Sequence, residues 1–475
     1  MVIMQDAPPK LKRFLKPLGR KATVRALLIR CIVAFLLHRG RMGAARAAGA
    51  VRSEPRHRAQ IARFLGRKML RRLSPASVLR SQVLALESQK SGTFLFVVDQ
   101  TLTSQQGRKT ENTFSSGNRQ RRPCKGRRYR KYKYARKSCH CFVKGLLLTP
   151  SGLRLPFCRS YYTRAYCQAK GKPYRTQTER AAEMIQELPL PEGAKVVVLG
   201  DTAFDAACIR QACAARRYTW VVPMNPERVL AGARGQRRKV RSLVNGLKAD
   251  QLITMRLHAG QGTFVAQRRL SPGRVGRKVK PRTYYVHTRR QTVHSVGEVQ
   301  LVFSTSKKPN QHQRIEIQKI LMTNDLSLTG RQIVERYALR WQIELYFKEL
   351  KSTLGFHQYR FRTFERVEGW VELVMVTVLY VEWYRAQQLQ RRDLANDKKQ
   401  WWRWQRMHGL CLAVGQAAEQ ADLKNIRQRL DTPTGLYRLR QLLKAALPRG
   451  SARRRVVETY EISATSKRAS KGGPC

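Results

Sequence analysis

Two aspartates of this chain occupy positions where a carboxylate needs a physical reason. Asp99 follows the apolar run at residues 94–98, and Asp201 follows the run at 196–199 after one glycine. Short apolar runs of this kind are typical of buried strands, and burying a carboxylate is costly unless it is paired or binds a metal ion. Sites in open α/β sheets assemble at the carboxyl ends of strands, so we expect both side chains to serve one site. For either residue alone, capping of the next turn is the structural alternative.

A third acid belongs to a helical pattern farther along the chain. Offsets of 0, 3, 7 and 14 residues relate Tyr337, Arg340, Glu344 and Lys351. At about 100° per residue, these four side chains share one face of a helix that we expect over residues 328–354. The neighbouring face carries the apolar residues Leu339, Ile343, Phe347, Leu350 and Leu354. The structural alternative is a solvated face with an ion pair between Arg340 and Glu344.

The residue types in this set suit chemistry on phosphate esters. The carboxylates of Asp99, Asp201 and Glu344 supply the oxygen ligands that divalent cations such as Mg2+ prefer. Cationic side chains and a phenol beside the glutamate can hold phosphate oxygens through charge-assisted hydrogen bonds. The sequence therefore predicts a metal-dependent site for a phosphate-bearing substrate.

The surrounding pattern predicts a mixed α/β sheet as the platform for the two aspartates. Apolar and β-branched runs predict strands at 94–98, 142–148, 153–158, 196–199 and 218–222, and helices are expected at 176–188 and 203–215. This order of strands and helices is typical of a mixed α/β sheet.

The segment between the second and third acids has a different pattern. Residues 226–312 contain strand-like stretches at 253–257, 263–269, 283–288 and 298–304, which predict a β-rich insertion. A strand at 315–322, the glutamate helix and apolar helices up to about residue 389 then resume the core.

Both ends of the chain are basic and helical in pattern. Residues 1–88 hold 20 Lys or Arg against 3 Asp or Glu. Helices expected at 25–38, 42–50 and 58–73 resemble a helix-turn-helix arrangement, with a solvated basic bundle as the alternative. Residues 391–475 are helical in patches, with a small and polar end that we expect to be disordered.

The composition points to a polyanionic partner. The 475 residues contain 95 Lys or Arg and 30 Asp or Glu, a net charge of +65, and the segment 119–137 alone holds 11 cations and no acid. A charge this large favours nucleic acid as the partner, while 42% hydrophobic residues exclude a disordered basic tail. Ten cysteines without a C-x2-C pair, and apolar stretches interrupted by charge, predict a cytoplasmic protein.

Taken together, these residues resemble the cut-and-paste DDE transposases of bacterial insertion sequences. The likeness rests on Asp99, on Asp201 in the context Gly-Asp-Thr-Ala-Phe, and on the Y-x2-R-x3-E-x6-K pattern that begins at Tyr337. It covers about residues 90–390, with 102 and 143 residues between successive acids.

The resemblance implies an α/β fold with an RNase H-like core in which Asp99, Asp201 and Glu344 bind two Mg2+ ions, which Mn2+ can replace. The side chains that would contact DNA phosphates are Tyr337, Arg340 and Lys351. The implied activity is metal-dependent cleavage at the ends of an insertion sequence, followed by joining of the freed 3′-hydroxyls to target DNA. A homodimer in a synaptic complex and a place at the bacterial nucleoid are implied as well.

The patterns along the sequence, taken with this resemblance, divide the chain into five parts. These are a helical DNA-binding domain at 1–88, the first part of the catalytic core at 89–225, the β-rich insertion at 226–312, the second part of the core at 313–390, and a basic helical region at 391–475.

At one position the sequence differs from the pattern that is common in this group of transposases. The group commonly places a tryptophan on the strand before the glutamate helix, but none occurs between positions 220 and 341. Lys319 or Ile320 stands near that place, and Tyr284 or Tyr285 could take the role of the tryptophan from elsewhere in the insertion.

The alternatives to a transposase are an RNase H-like nuclease without strand transfer, a non-catalytic DNA-binding derivative, and an RNA-binding protein.

Overall fold

A computed structural model of the protein describes residues 9–19, 22–37, 61–66, 74–88, 91–105, 110–116, 137–231, 238–257, 282–310 and 315–391, together with 433, 434 and 437. Several sequence predictions lie outside these residues: the helix at 42–50, most of the helix at 58–73, the basic segment 119–137 except its last residue, the strand at 263–269, and most of the region at 391–475.

The chain forms two compact units. One comprises Arg80–Lys348, and the other combines Met1–Leu79 with Glu349–Cys475. The division into five parts stays a prediction.

In the described residues of the first unit, the strands join one mixed sheet. They are β1 (Phe94–Gln105), β2 (Phe114–Ser116), β3 (Lys137–Leu148), β4 (Arg154–Ser160), β5 (Val196–Leu199), β6 (Thr219–Pro223), β7 (Ile253–Leu257), β8 (Arg282–Val293), β9 (Gly297–Thr305) and β10 (Lys319–Thr323). Their order is β2-β3-β1-β5-β6-β10-β9-β8-β7, and β4 pairs with β3.

The α-helices of the described residues, in chain order, are α1 (Pro9–Phe14), α2 (Ala22–Leu37), α3 (Pro75–Leu84), α4 (Arg164–Lys170), α5 (Gln177–Gln186), α6 (Ala207–Ala215), α7 (Val240–Asn245), α8 (Gly330–Ala338), α9 (Trp341–Thr353) and α10 (Phe364–Arg391). Residues 61–65 are helical as well.

The core of the sheet has mixed strand directions. Strands β1, β5 and β6 run parallel, whereas β3 is antiparallel to both β1 and β4. Strand β5 is buried along its whole length, as its unbroken apolar sequence predicts. The α/β class and the RNase H-like core that the resemblance implies are therefore confirmed.

The β-rich segment extends this same sheet. Strand β10 pairs with β6 on one side and with β9 on the other, and β8 and β7 follow as antiparallel neighbours. The predicted strand at 253–257 has the observed bounds, and the strands predicted at 283–288 and 298–304 are longer in the structure.

The first predicted strand is longer than its apolar run, so the expectation that Asp99 ends a strand is wrong. Strand β1 continues to Gln105 because β3 pairs with it through the register from Leu95 and Leu148 to Gln105 and Ser138. The parallel partner β5 is much shorter, since its pairing with β1 ends at Val97 and Leu199. Asp99 therefore lies just beyond the end of the parallel pairing.

The single glutamate helix expected at 328–354 is two helices, α8 and α9. The chain tightens between them, where the Arg340 N–H donates to the Tyr337 carbonyl (3.0 Å) and the Ile343 N–H to the Arg340 carbonyl (3.3 Å). Hydrogen bonds of this i to i+3 type belong to a 3₁₀ turn and interrupt the α-helix. Arg340 thus lies in the turn itself, between two helices that carry Tyr337 and Glu344.

The helix expected at 203–215 is also interrupted. A 3₁₀ turn covers Thr202–Phe204 and α6 begins at Ala207. The buried carboxylate of Asp205 lies between them and binds Arg210 (2.6 Å) and Arg228 (2.5 Å).

The second unit contains α10 as its long apolar helix. Phe14 of α1 packs on Tyr380, and Phe35 of α2 packs on Trp370, with ring centroids 5.4 Å and 5.0 Å apart. Among the charged residues of α10, Glu372 accepts a hydrogen bond from the Ala76 N–H (2.7 Å) at the start of α3. No helix in the described residues is long and apolar enough to cross a membrane.

Candidate active site

Asp99 lies on β1, opposite β3, and both of its carboxylate oxygens are bound. Its Oδ1 accepts a hydrogen bond from the Gln100 N–H (2.7 Å), and its Oδ2 lies 3.1 Å from the Lys144 ammonium. Only 13% of the aspartate side chain and 7% of the lysine side chain are exposed. The carboxylate is thus held in one orientation and neutralised by a buried cation.

Asp201 follows β5 through Gly200 and caps the next turn. Its Oδ1 accepts a hydrogen bond from the Ala203 N–H (2.9 Å), so the capping alternative is correct as far as it goes. The pKa of Asp201 is nevertheless raised, because burial and the neighbouring charge of Asp99 outweigh the Ala203 hydrogen bond and the attraction of Arg340. The two aspartates are therefore close enough to repel each other.

Glu344 is brought to the same place through Arg340. The guanidinium Nη2 lies 2.7 Å from Glu344 Oε1, with 14% of the arginine and 31% of the glutamate side chain exposed. Burial lowers the pKa of Arg340, but Tyr337, Glu344 and Asp99 outweigh that effect and raise it. Arg340 also lowers the pKa of Asp201, so its charge acts on all three acids.

Tyr337 is buried beside the charged groups of Asp201, Arg340 and Glu344. Burial raises the pKa of its phenol to about 12, and the charges of Asp201 and Glu344 add to the effect while Arg340 opposes it. The phenol therefore keeps its proton and can donate a hydrogen bond at neutral pH. The Arg340 guanidinium carbon lies 5.9 Å from the ring centroid.

Lys319 of β10 is a further cation in the cluster. Its ammonium lies over the Tyr337 ring, 4.8 Å from the centroid. Burial and the charge of Arg340 lower its pKa, against the influence of Glu344. The sequence pattern names Lys319 only as a residue near the place of a missing tryptophan.

The structure therefore brings together five of the six predicted residues, Asp99, Asp201, Tyr337, Arg340 and Glu344. The sixth, Lys351, follows Glu344 on α9 but belongs to the unit that contains Glu349–Cys475.

The donor set fits a hard divalent cation, although the acids are not arranged around one in this structure. Within the residues described, no three His, Cys, Asp or Glu side chains lie close enough to hold a metal ion together. Asp99 and Glu344 are instead engaged by Lys144 and Arg340. Carboxylate oxygens are the preferred ligands of Mg2+ and Mn2+, and the repulsion between Asp99 and Asp201 is the electrostatic condition that a bound cation relieves.

Lys144 is the residue of this site that the sequence does not reveal. It lies directly opposite Asp99 in the ladder between β3 and β1. The contact depends on the register between segments 45 residues apart in the chain, and no local spacing pattern indicates it.

A comparison with protein families shows to which family the chain belongs. The family model described as a transposase DDE domain matches residues 95–380. The chain belongs to this transposase family. The match spans Asp99, Asp201, Glu344 and Lys351, and DNA is the partner that membership of the family implies. DDE transposases generally use divalent metal ions. No curated protein sequence matches the chain.

Proposed function

We propose that this DDE transposase binds the ends of an insertion sequence, cleaves them by metal-dependent hydrolysis, and joins the freed 3′-hydroxyls to target DNA by transesterification. The observation that supports this most is the position of Arg340, whose charge acts on Asp99, Asp201 and Glu344. A single cation within reach of three acids from three separate elements marks one centre.

Asp99, Asp201 and Glu344 are the residues that would hold the divalent ions, Asp99 together with each of the other two. Ions bound there would activate water or a 3′-hydroxyl and stabilise the leaving oxygen. Mg2+ is the expected ion, with Mn2+ as its substitute. Asp99 is held for this role by the Gln100 N–H, and Asp201 by the Ala203 N–H.

The cations and the phenol would hold the DNA backbone beside the acids. Arg340 is always charged, and Tyr337 carries a proton that it can donate to a phosphate oxygen. Lys319 is an exposed residue, so its ammonium can turn from the Tyr337 ring to a phosphate. Lys351 on the continuation of α9 is a further candidate for the strand on either side of the cleaved bond.

The other parts of the chain have roles only in this proposal. Residues 1–88 would recognise the element's ends, and the insertion at 226–312 and the basic region at 391–475 would bind flanking or target DNA. Because both ends must react together, a homodimer is the expected active form.

Joining separates this function from that of a nuclease with the same core. The wild-type protein would be incubated with a linear fragment that carries the inverted repeats bracketing its own gene, with a circular plasmid as target and Mg2+ or Mn2+ present. We expect cleavage at the repeats and joined fragment–plasmid products, and both should disappear in a chelator. A fragment with scrambled repeats is the control.

The remaining outcomes assign the alternatives. Cut fragments that never join would favour a nuclease, and binding without any cleavage would favour a non-catalytic derivative. Either result would overturn the proposed function.

A further inference from the structure

A buried lysine is bound to the first aspartate of the site. The Lys144 Nζ lies 3.1 Å from Asp99 Oδ2, and only 7% of the lysine side chain is exposed to solvent. The ammonium also lies over the ring of Phe347 on α9, 5.2 Å from the centroid. A side chain so enclosed cannot reach along a DNA backbone, so a direct role in gripping the substrate does not suit it.

Its position is specified by the fold. Asp99 and Lys144 face each other in the register between β1 and β3, and a rigid ladder on both sides of this pair fixes their backbones. Phe347 covers the ammonium from the helix that carries Glu344. A buried charge is retained at such a position only when its partner compensates for the lost hydration, which the carboxylate does here.

We propose that Lys144 is the resident counter-ion of Asp99. It holds the carboxylate in one orientation while no divalent ion is bound, and it opposes the binding of that ion through like-charge repulsion. The inference rests on the proposed function, because it takes Asp99 as a ligand of the metal ion. Lys144 is then a positioning residue that acts through Asp99.

The consequence is a dependence of metal binding on DNA. With the ammonium present, the net negative charge offered by the three acids is reduced, and the affinity for a divalent ion falls. A DNA phosphate that enters the site adds negative charge and offsets this reduction. The lysine would thereby keep the transposase weakly loaded with metal until DNA is bound.

Mn2+ binding to the full-length protein without DNA tests the inference. Free Mn2+ would be measured by electron paramagnetic resonance across a titration at pH 7.5. Lys144→Gln removes the charge but keeps a hydrogen-bond donor, Lys144→Met removes both, and Lys144→Arg keeps the charge. Lys170→Gln is the matched control, because it removes the same charge from a different ion pair. Lys170 pairs with Glu111 (3.4 Å) and not with an acid of the site.

We expect the glutamine and methionine variants to bind Mn2+ about tenfold more tightly than wild type, which corresponds to about 1.4 kcal/mol. The arginine variant and the Lys170→Gln control should bind like wild type. Mn2+ should also raise the melting temperature of Lys144→Gln by more than it raises that of wild type, because stabilisation grows with the ratio of ligand concentration to Kd. Equal or weaker Mn2+ binding by Lys144→Gln would overturn the inference, whether or not the methionine variant folds.

A parallel titration of Asp99→Asn separates this inference from the proposed site. Loss of Mn2+ binding in Asp99→Asn, together with unchanged binding in Lys144→Gln, would leave the site intact and overturn only the counter-ion. Wild-type Mn2+ binding by Asp99→Asn would overturn the proposed metal site and the counter-ion with it.

Discussion

At the scale of single residues, the site is organised by compensating charges. Asp99 is paired with Lys144, and Glu344 is paired with Arg340. Asp201 instead accepts backbone hydrogen bonds from the turn that follows it, and burial and the charge of Asp99 raise its pKa. The repulsion between Asp99 and Asp201 is therefore the least compensated charge interaction among the three acids.

Lys319 provides a test of how the site grips DNA. Its ammonium lies over Tyr337 and beside Arg340, close to where a phosphate would meet the acids. Lys319→Ala is expected to weaken binding of end-bearing DNA several-fold. Because one phosphate contact would be lost, the slope of log K against log salt should become shallower by about 0.9. Fluorescence anisotropy at several salt concentrations measures both quantities.

Lys307→Ala is the matched control for that substitution. Lys307 is an exposed lysine on the loop after β9 and is paired with Glu316. The Lys307→Ala substitution should leave the salt dependence of DNA binding unchanged. If Lys319→Ala also leaves affinity and slope at their wild-type values, Lys319 has no phosphate contact and only packs on Tyr337.

At the scale of elements, the geometry depends on a close approach after β5. A Cβ added at Gly200 would lie 2.9 Å from the Cβ of Phe204 and 3.5 Å from Val98 Cγ2. Phe204 is buried and ends the 3₁₀ turn that Asp201 caps. The glycine therefore lets the turn fold tightly enough for Asp201 to face β1.

Gly200→Ala should disturb this turn without removing any catalytic group. Overpacking of this kind costs about 1–3 kcal/mol, so we expect a lower melting temperature. DNA cleavage should fall further than the stability loss accounts for, because Asp201 would be displaced. Thermal unfolding and cleavage assays well below the melting temperature measure the two effects separately.

Gly246→Ala is the matched control, because a Cβ there would come no closer than 4.0 Å to the nearest atom, the carbonyl oxygen of Leu243. Wild-type cleavage by Gly200→Ala at a temperature where it is folded would contradict the role given to this approach.

Local patterns in the sequence predict much of the fold, and the failures have a common cause. The strand at 196–199 follows from an unbroken apolar run. The helix predicted at 176–188 is found at Gln177–Gln186, where Thr176 and Glu179 form a capping box. The length of β1 and its contact with Lys144 depend on pairing with β3, which is not encoded locally. The break at Arg340 is likewise invisible to helical periodicity, since the residues on both sides keep the same repeat.

The acids of the candidate site can be predicted from the sequence, whereas two of its cations cannot. Asp99, Asp201 and Glu344 stand out because acids are scarce in a chain with 95 Lys or Arg. Lys144 and Lys319 do not stand out, because two cations among so many carry no signal until the sheet places them beside the acids.

At the scale of the whole molecule, the charge of +65 and the three acids have complementary roles. The cations favour DNA along the entire chain, including the segment 119–137 with its 11 basic residues. The family match and the cluster of acids both lie in the middle of the sequence. A general attraction for DNA is thus combined with one local cluster of acids, which we propose as the metal site.

The central claim is that Asp99, Asp201 and Glu344 form the centre that cuts DNA. Single-turnover cleavage of a fragment with the element's own ends tests it most directly, with Asp99→Asn, Asp201→Asn and Glu344→Gln compared with wild type. Glu335→Gln is the matched control, because Glu335 forms a similar ion pair with Arg331 (2.9 Å) on α8. We expect each of the three substitutions to slow cleavage by about a thousandfold or more while DNA binding and Glu335→Gln stay at the wild-type level. Wild-type cleavage by any one of the three would contradict the account.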